Sequence, residues 1–281
     1  MRIVHFDVPE CDNGISALKF LKRRGFSARL VTKLKSTGGL TRGGSILRSI
    51  DAVFTGERID VTLPDGDTLE PNPDLYAAVA YEDEDVVVFD KPPGLPVHPS
   101  GGHYYDTLGN LFAAMYTGVT FRPVSRLDRD TSGLCVCAKN TLAAARLAGK
   151  VDKVYYAVID GEILQSGEIN APITRESDSI IKRCVREDGK PAITLYKPIR
   201  HANGKTLLEI TLVTGRTHQI RAHFAYIGFP LCGDDMYGGD CSEITRQALH
   251  CGKVTFSAPI SGEQIMVESS LPEDIAKLFG G

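Results

Sequence analysis

The chain has 281 residues, 42% of them hydrophobic and 24% charged, with a net charge of −3; this is enough for one well-buried unit of about 200 residues and something smaller beside it. The longest apolar runs, YAAVAY and VVVF, are far too short to cross a bilayer, and the opening MRIVHFDVPECDNG has no apolar stretch for export, so the expected location is the cytoplasm. The net acidity argues against a general nucleic-acid binder, but residues 1–60 hold 11 Lys and Arg against 6 Asp and Glu, a surplus of +5, which leaves the other 221 residues at −8.

In chain order, ISALKFLKRRG predicts a helix with Ile15, Leu18 and Leu21 inward, Lys19, Lys22, Arg23 and Arg24 outward, and Gly25 at its end. Ser27 then caps a second helix, with Leu30, Val31 and Leu34 inward, Arg29, Lys33 and Lys35 outward, and Gly38 as the stop. Two cationic faces suit a phosphate backbone, and a merely solvated helix face would show the same pattern. AVFTGERIDVTL alternates and breaks at Gly56, which predicts a hairpin. This front module is similar to the small S-four-type RNA-binding domain shared with a ribosomal small-subunit protein, two helices paired with a small sheet. On that resemblance Lys22, Arg23, Arg24, Arg29, Lys33 and Lys35 are its RNA contacts. Its loop STGGLTRGG departs from the Gly-x-Val-x-x-Asn-Gly pattern usual there.

The prolines of PDGDTLEPNPDL mark an exposed linker. The expected division is residues 1–65 for the basic module, 66–77 for the linker and 78–281 for the rest. Beyond the linker strand-like runs dominate: VAYEDEDVVVFDKP as a hairpin, GLCVCAK, KVYYAVIDGEI, IIKRCVREDGKPAITLYKPI, TLLEITLVTG, ALHCGKVTFSAP and EQIMVESSLP. Tight turns at 187–189 and 203–204 make the sheet mostly antiparallel. Helices are expected at about 140–149, capped by Asn140, at about 217–227, capped by Thr217, and just after Pro272. The fold class is therefore α+β, a mostly antiparallel sheet with flanking helices plus the small basic unit. The seven cysteines, at 11, 135, 137, 184, 232, 241 and 251, form no Cys-x-x-Cys pairs and read as small apolar residues, with Cys135 and Cys137 on one face of a strand.

The chemistry concentrates in VSRLDRDTSGLCVC, residues 124–137. Arg126 and Arg129 favour the charged form of Asp128, which suits a nucleophile or base better than a proton donor. Asp130 is either a second carboxylate or part of a shared turn, and both aspartates capping a turn into the following strand is the plain alternative. Asp-Thr-Ser-Gly has the wrong spacing for an aspartic protease and no second copy. His218 and His223 lie five apart without the Glu of a zinc helix, and His250 fits a core position. In GRTHQIRAH, Arg221 falls near Ile220 and Phe224, where a guanidinium needs a carboxylate; Asp128 is the candidate, and an Arg221 exposed to water is the alternative.

KPPGLPVHPSGG, RLDRDTSGL, KVYYAV, GRTHQIRAH and PLCGDDMYGG occur in the order and approximate spacing of the RluA-type RNA pseudouridine synthases, across residues 78–281. The chain resembles that family, with Ser125 where the family often has His. The resemblance implies isomerisation of a uridine within RNA: the bond from ribose C1′ to N1 breaks, the base turns, and C1′ joins C5. It implies no cofactor, no metal and no obligate protein partner, with ribosomal or transfer RNA as substrate. Asp128 then corresponds to the catalytic aspartate, acting as nucleophile or as base on the sugar, Arg221 to the arginine paired with it, and Tyr155 to the tyrosine that stacks on the base, where a core tyrosine is the alternative. Arg126 corresponds to the arginine that fills the gap left by the flipped uridine, and Arg129, Arg216 and His218, in the same motifs, are assigned to the substrate. Two other functions remain open on the sequence: an RNA-binding assembly factor in which catalysis is secondary, and a carboxylate hydrolase, which the missing second acid disfavours.

Overall fold

The computed structural model describes residues 2–279, and these build two main sheets. The first unit runs through β1 (Arg2–Asp7), α1 (Ala17–Arg23), α2 (Ala28–Thr37), β2 (Leu40–Arg42), β3 (Ser45–Ile46) and β4 (Arg58–Leu63). Ser16 and Ser27 cap the helices by accepting from Lys19 N and Leu30 N, and α2 stops at Gly38, which takes φ +65°. The sheet order β1-β4-β2-β3 is antiparallel, and its core joins Phe20, Leu21, Leu30, Val31 and Leu34 to Val4, Ile59 and Val61.

Two expectations are corrected here. The inward face of α1 is Ala17, Phe20 and Leu21, one step around from the expected stripe, leaving Ile15 and Leu18 half-buried. Residues 52–57 form no hairpin: Gly56 N donates to Val8 O, the Glu57 carboxylate accepts from Phe54 N, and this turn hands the chain to β4, which pairs with β1 and β2.

The second unit continues with β5 (Ala78–Glu82), β6 (Val86–Lys91), α3 (Leu108–Met115), β7 (Arg122–Pro123), β8 (Ser132–Ala138), α4 (Thr141–Leu147), β9 (Asp152–Asp160) and β10 (Gly167–Asn170). It is completed by β11 (Ile173–Arg175), β12 (Arg183–Val185), β13 (Ile193–Ala202), β14 (Lys205–Leu212), α5 (Gln219–Tyr226), β15 (Leu249–Ser257), β16 (Gln264–Glu268) and α6 (Glu273–Ala276). The sheet order is β10-β13-β14-β9-β15-β8-β6-β5, with β16 on β15 and β7 on β8. Asn203 and Gly204, both at positive φ, turn β13 into β14 as expected. The turn at 187–189 joins no hairpin; β12 pairs back on β11 instead. The expected helix list lacks α3, whose Thr107–Asn110 capping box is masked in sequence by Gly109 in its first turn.

The segment between the sheets is mostly exposed but anchored: Asn72 is buried and donates to Tyr105 O, and Asn110 donates to Glu70 O. The two units also meet directly. Leu142 of α4 sits in the core of the first, Arg2 pairs with Asp85, and Arg146 donates to the carbonyls of Arg24 and Pro259.

All strand pairings in the large sheet are antiparallel except β8 with β15, which aligns Ser132 with His250 and Gly133 with Cys251. Gly133 has φ +107°, and a Cβ there would stand 2.3 Å from Cys251 O. Gly133→Ala combines a forbidden backbone region with overpacking, so a loss of about 3 kcal/mol is expected in urea unfolding at unchanged slope. Wild-type stability in this variant would show that the two strands do not approach so closely.

Candidate active site

The sheet brings the loop before β8, the start of β15, one face of β9 and the chain from β14 into α5 to a common cleft. Arg126, Asp128, Tyr155, Arg216, His218 and Arg221 all line it, joined by Leu127, Leu212, Ile220 and Leu249. Asp128 sits in a turn closed by Thr131 N on Asp128 O, so the turn alternative describes its backbone, while its side chain, 26% exposed, faces the cleft.

Helix periodicity explains GRTHQIRAH. Gln219 and His223, four apart, face back into the fold: Gln219 accepts from Arg216 N and Thr214 Oγ1 and donates to Ile193 O and Thr194 Oγ1, and His223 bridges Thr194 Oγ1 and Ala171 O. His218 and Arg221, three apart, face the cleft. The expected cap, Thr217, is corrected to His218, which holds φ +54° and makes no side-chain cap bond; the Gln219 side chain steadies the chain entering the helix by accepting from Arg216 N.

Arg221 is buried and fully engaged. Its Nε and Nη2 each donate over 2.7 Å to the two oxygens of Asp234, and its Nη1 donates over 3.2 Å to Asp128 Oδ2. Tyr237 lies against its guanidinium at 5.0 Å. Burial works against the Arg221 charge, yet the bonds to Asp234 and the charge of Asp128 outweigh it and hold its pKa above the ordinary guanidinium value. The same oxygen of Asp128 lies 3.8 Å from His218 Nε2. Burial lowers the His218 pKa despite the pull of Asp128, so the ring is neutral at pH 7. Burial also pushes the Tyr155 phenol well up, keeping it protonated.

The loop is held from behind. Lys91 Nζ, fully buried, donates to Arg129 O and Pro92 O, each over 2.8 Å, and Arg246 Nη1 donates to Asp130 O over 3.2 Å. Burial brings the Lys91 ammonium down to about 8. Ser125 is buried and its hydroxyl accepts from Val136 N, tying the loop to β8. Arg129 turns away from the cleft into an exposed pair with Asp130. None of the six cations assigned to the first unit lines the cleft. Of these, Arg23 and Arg24 both pair with Asp12, and Lys33 donates to Asp65 O. Among the described residues no His, Cys, Asp and Glu cluster could hold a metal, and no helix is long and apolar enough to cross a membrane.

Residues 85–226, which contain Asp128, Tyr155 and Arg221, match the RNA pseudouridylate synthase family. An uncharacterized RNA pseudouridine synthase of Bacillus subtilis, YjbO, is 39% identical over 92% of this chain and 95% of its own length. The chain belongs to the RNA pseudouridylate synthase family. The ribosomal large subunit pseudouridine synthase D of Pseudomonas aeruginosa is 36% identical over 86% of this chain and 83% of its own. Human RNA pseudouridylate synthase domain containing 1 superposes with a TM-score of 0.60 at 25% identity, covering 72% of this chain and 86% of that one. As a pseudouridine synthase the chain is an isomerase that acts on RNA, on the α+β fold expected from its strand pattern.

Sequence reasoning missed Asp234, Tyr237, Lys91 and Arg246 in this synthase. For Asp234 a signal existed in PLCGDDMYGG: a Gly-rich stretch holding two acids, one of which ends up 1% exposed. Nothing in the sequence chooses Asp234 over its exposed neighbour Asp235.

Proposed function

We propose that this synthase converts uridine to pseudouridine in ribosomal RNA, with Asp128 as the reactive carboxylate. The observation that carries the assignment is the bond from buried Arg221 to Asp128 Oδ2 in a cleft that also contains Tyr155. One carboxylate oxygen is tied to a permanent cation and the other is left for the sugar, so the carboxylate is charged and aimed at the step where the C1′–N1 bond breaks. Tyr155, a neutral phenol on the cleft wall, is suited to stack on the base. Arg126, exposed on the same cleft, is suited to occupy the gap left in the RNA when the uridine turns out. Ribosomal RNA is favoured because relatives at 34 to 36% identity carry the name ribosomal large subunit pseudouridine synthase D. Tritium release from RNA labelled at uridine C5 tests the substrate class: release from unmodified large-subunit RNA and none from transfer RNA is expected, and the reverse would overturn it.

The first unit is proposed to add phosphate contacts through its exposed basic side chains. Lys22, Arg29 and Lys35 are exposed and form no hydrogen bond or ion pair among the described residues. Because Leu142 is buried in this unit's core, deleting the unit would strip an apolar patch from α4, and surface charges make the cleaner test. Changing Lys22, Arg29 and Lys35 to Gln is expected to weaken RNA binding and lower the slope of log affinity against log salt by about 2, with kcat retained. An unchanged slope would remove this unit from the interface.

A further inference from the structure

His218 occupies a costly position. It is a non-glycine residue at φ +54° and ψ 22°, on the cleft, with its side chain 8% exposed; such a backbone state is strained and persists where its surroundings over-determine it. The surroundings here bear on one thing in particular, the place of the ring proton. The backbone N–H of Arg183 donates to the Tyr237 hydroxyl oxygen over 2.9 Å. That same hydroxyl lies 3.1 Å from His218 Nδ1. With its oxygen already accepting from Arg183, the Tyr237 proton has one acceptor among the described residues, Nδ1. A neutral imidazole whose Nδ1 accepts must carry its hydrogen on Nε2, and Nε2 is the atom that faces Asp128 Oδ2 at 3.8 Å.

We propose that His218 is a second positioning residue for Asp128: Tyr237 sets its Nε2–H tautomer, and this N–H joins Arg221 Nη1 on Oδ2, so that Oδ1 is the oxygen presented to the ribose. The inference rests on the reading of Asp128 as the reactive carboxylate and deepens it. Both donors converge on one oxygen, at 3.2 and 3.8 Å, from the cap and the first turn of α5. The longer distance exceeds a hydrogen bond and closes when substrate excludes water, as catalytic contacts commonly tighten on binding. A neutral donor aims the carboxylate without a second cation to blunt it. The charged or titratable groups around His218 are Asp128 in the loop before β8, Arg221 on its own helix, Asp234 and Tyr237 in the turn before β15, and Arg183 on β12. Protonating His218 would set another cation beside Arg221 and hold Asp128 in a tighter ion pair, so the rate should fall on the acid side of the ordinary histidine range, where this ring, its pKa lowered by burial, takes up a proton.

The test combines tritium-release kinetics with nitrogen-15 NMR of histidine-labelled protein, His218 being assigned among the seven histidines by its absence from a His218→Gln spectrum. His218→Ala should lower kcat by about 10²-fold with KM nearly unchanged. His218→Gln, which keeps an N–H near the Nε2 position and cannot protonate, should recover most of that loss and lack the fall in rate at acid pH that the wild type shows. In the spectra, wild-type His218 should be the Nε2–H tautomer, and Tyr237→Phe should lose that preference and lower kcat. An Nδ1–H tautomer in the wild type, or His218→Ala at wild-type kcat, would overturn the proposal; the tautomer reading stands even where the Ala variant fails to fold. Asp128→Asn, measured alongside, separates the two readings. If it retains activity, the assignment of Asp128 fails; if it is inactive while His218→Ala is not, only the role of His218 fails.

Discussion

Asp128→Asn should bind RNA as the wild type does and release tritium from C5-labelled RNA at least about 10⁴-fold more slowly. The C5 hydrogen must leave when C5 bonds to C1′, so release reports the chemical step itself. Asparagine has the same shape and still offers an oxygen to Arg221 Nη1, which now lies 3.2 Å from the carboxylate. What it lacks is the negative charge needed either to attack C1′ or to take a proton from the sugar. Folding should survive, because two of the three bonds that neutralise Arg221 run to Asp234. Asp130→Asn is the internal comparison: it lies in the same short sequence but pairs outside the cleft with Arg129. Its removal should cost little. Activity kept without Asp128 and lost without Asp130 would reverse the assignment of the two carboxylates.

That comparison marks how far the sequence could be read. Alternation and turn residues carried the strands, and Asn140 was legible as a cap because its side chain does accept from Ala143 N. The pairing of Asp128 with Arg221, 93 residues apart, followed from a general requirement, since a guanidinium among apolar neighbours needs a carboxylate. The same requirement did not disclose that Arg221 has two partners. Asp234 reaches it only because the Gly-rich chain after β14 and α5 folds tightly: a Cβ at Gly239 would stand 1.9 Å from Leu231 O, and no local pattern encodes such an approach. Helix α5 shows a different limit. Thr217 is the better cap by propensity, but the Gln219 side chain ties the incoming chain at Thr214 and Arg216, and the cap falls one residue later on His218, in the left-handed region and with no side-chain cap bond. Arg24 shows a third. Its place on a cationic face was readable, but the pair with Asp12 and the close stacking on Phe20, at 3.5 Å, depend on how the short 3-10 turn Glu10–Asp12 before α1 folds back.

Asp234 is where stability and activity should be most tightly joined and where they can be separated. Its side chain is 1% exposed, that of Arg221 is 7% exposed, and the bidentate pair between them is the main compensation each has for leaving water. Asp234→Asn would turn one acceptor into a donor facing the guanidinium, leaving Arg221 with Asp128 as the one carboxylate bonded to it, itself partly in solvent. A loss of about 3 kcal/mol or more is expected in urea unfolding, with activity falling because Arg221 no longer holds its aim at Oδ2. Arg221→Met should cost a similar amount by stranding the Asp234 carboxylate, whose side chain has no other hydrogen-bond partner among the described residues. The double variant Arg221→Met with Asp234→Leu removes both charges together, and replacing a buried pair with apolar side chains of similar volume is often neutral. It should therefore recover most of the lost stability and none of the lost tritium release. Recovery of both would mean that Arg221 serves the fold alone. An Asp234→Asn protein as stable as the wild type would mean that the pair is not the anchor of this site.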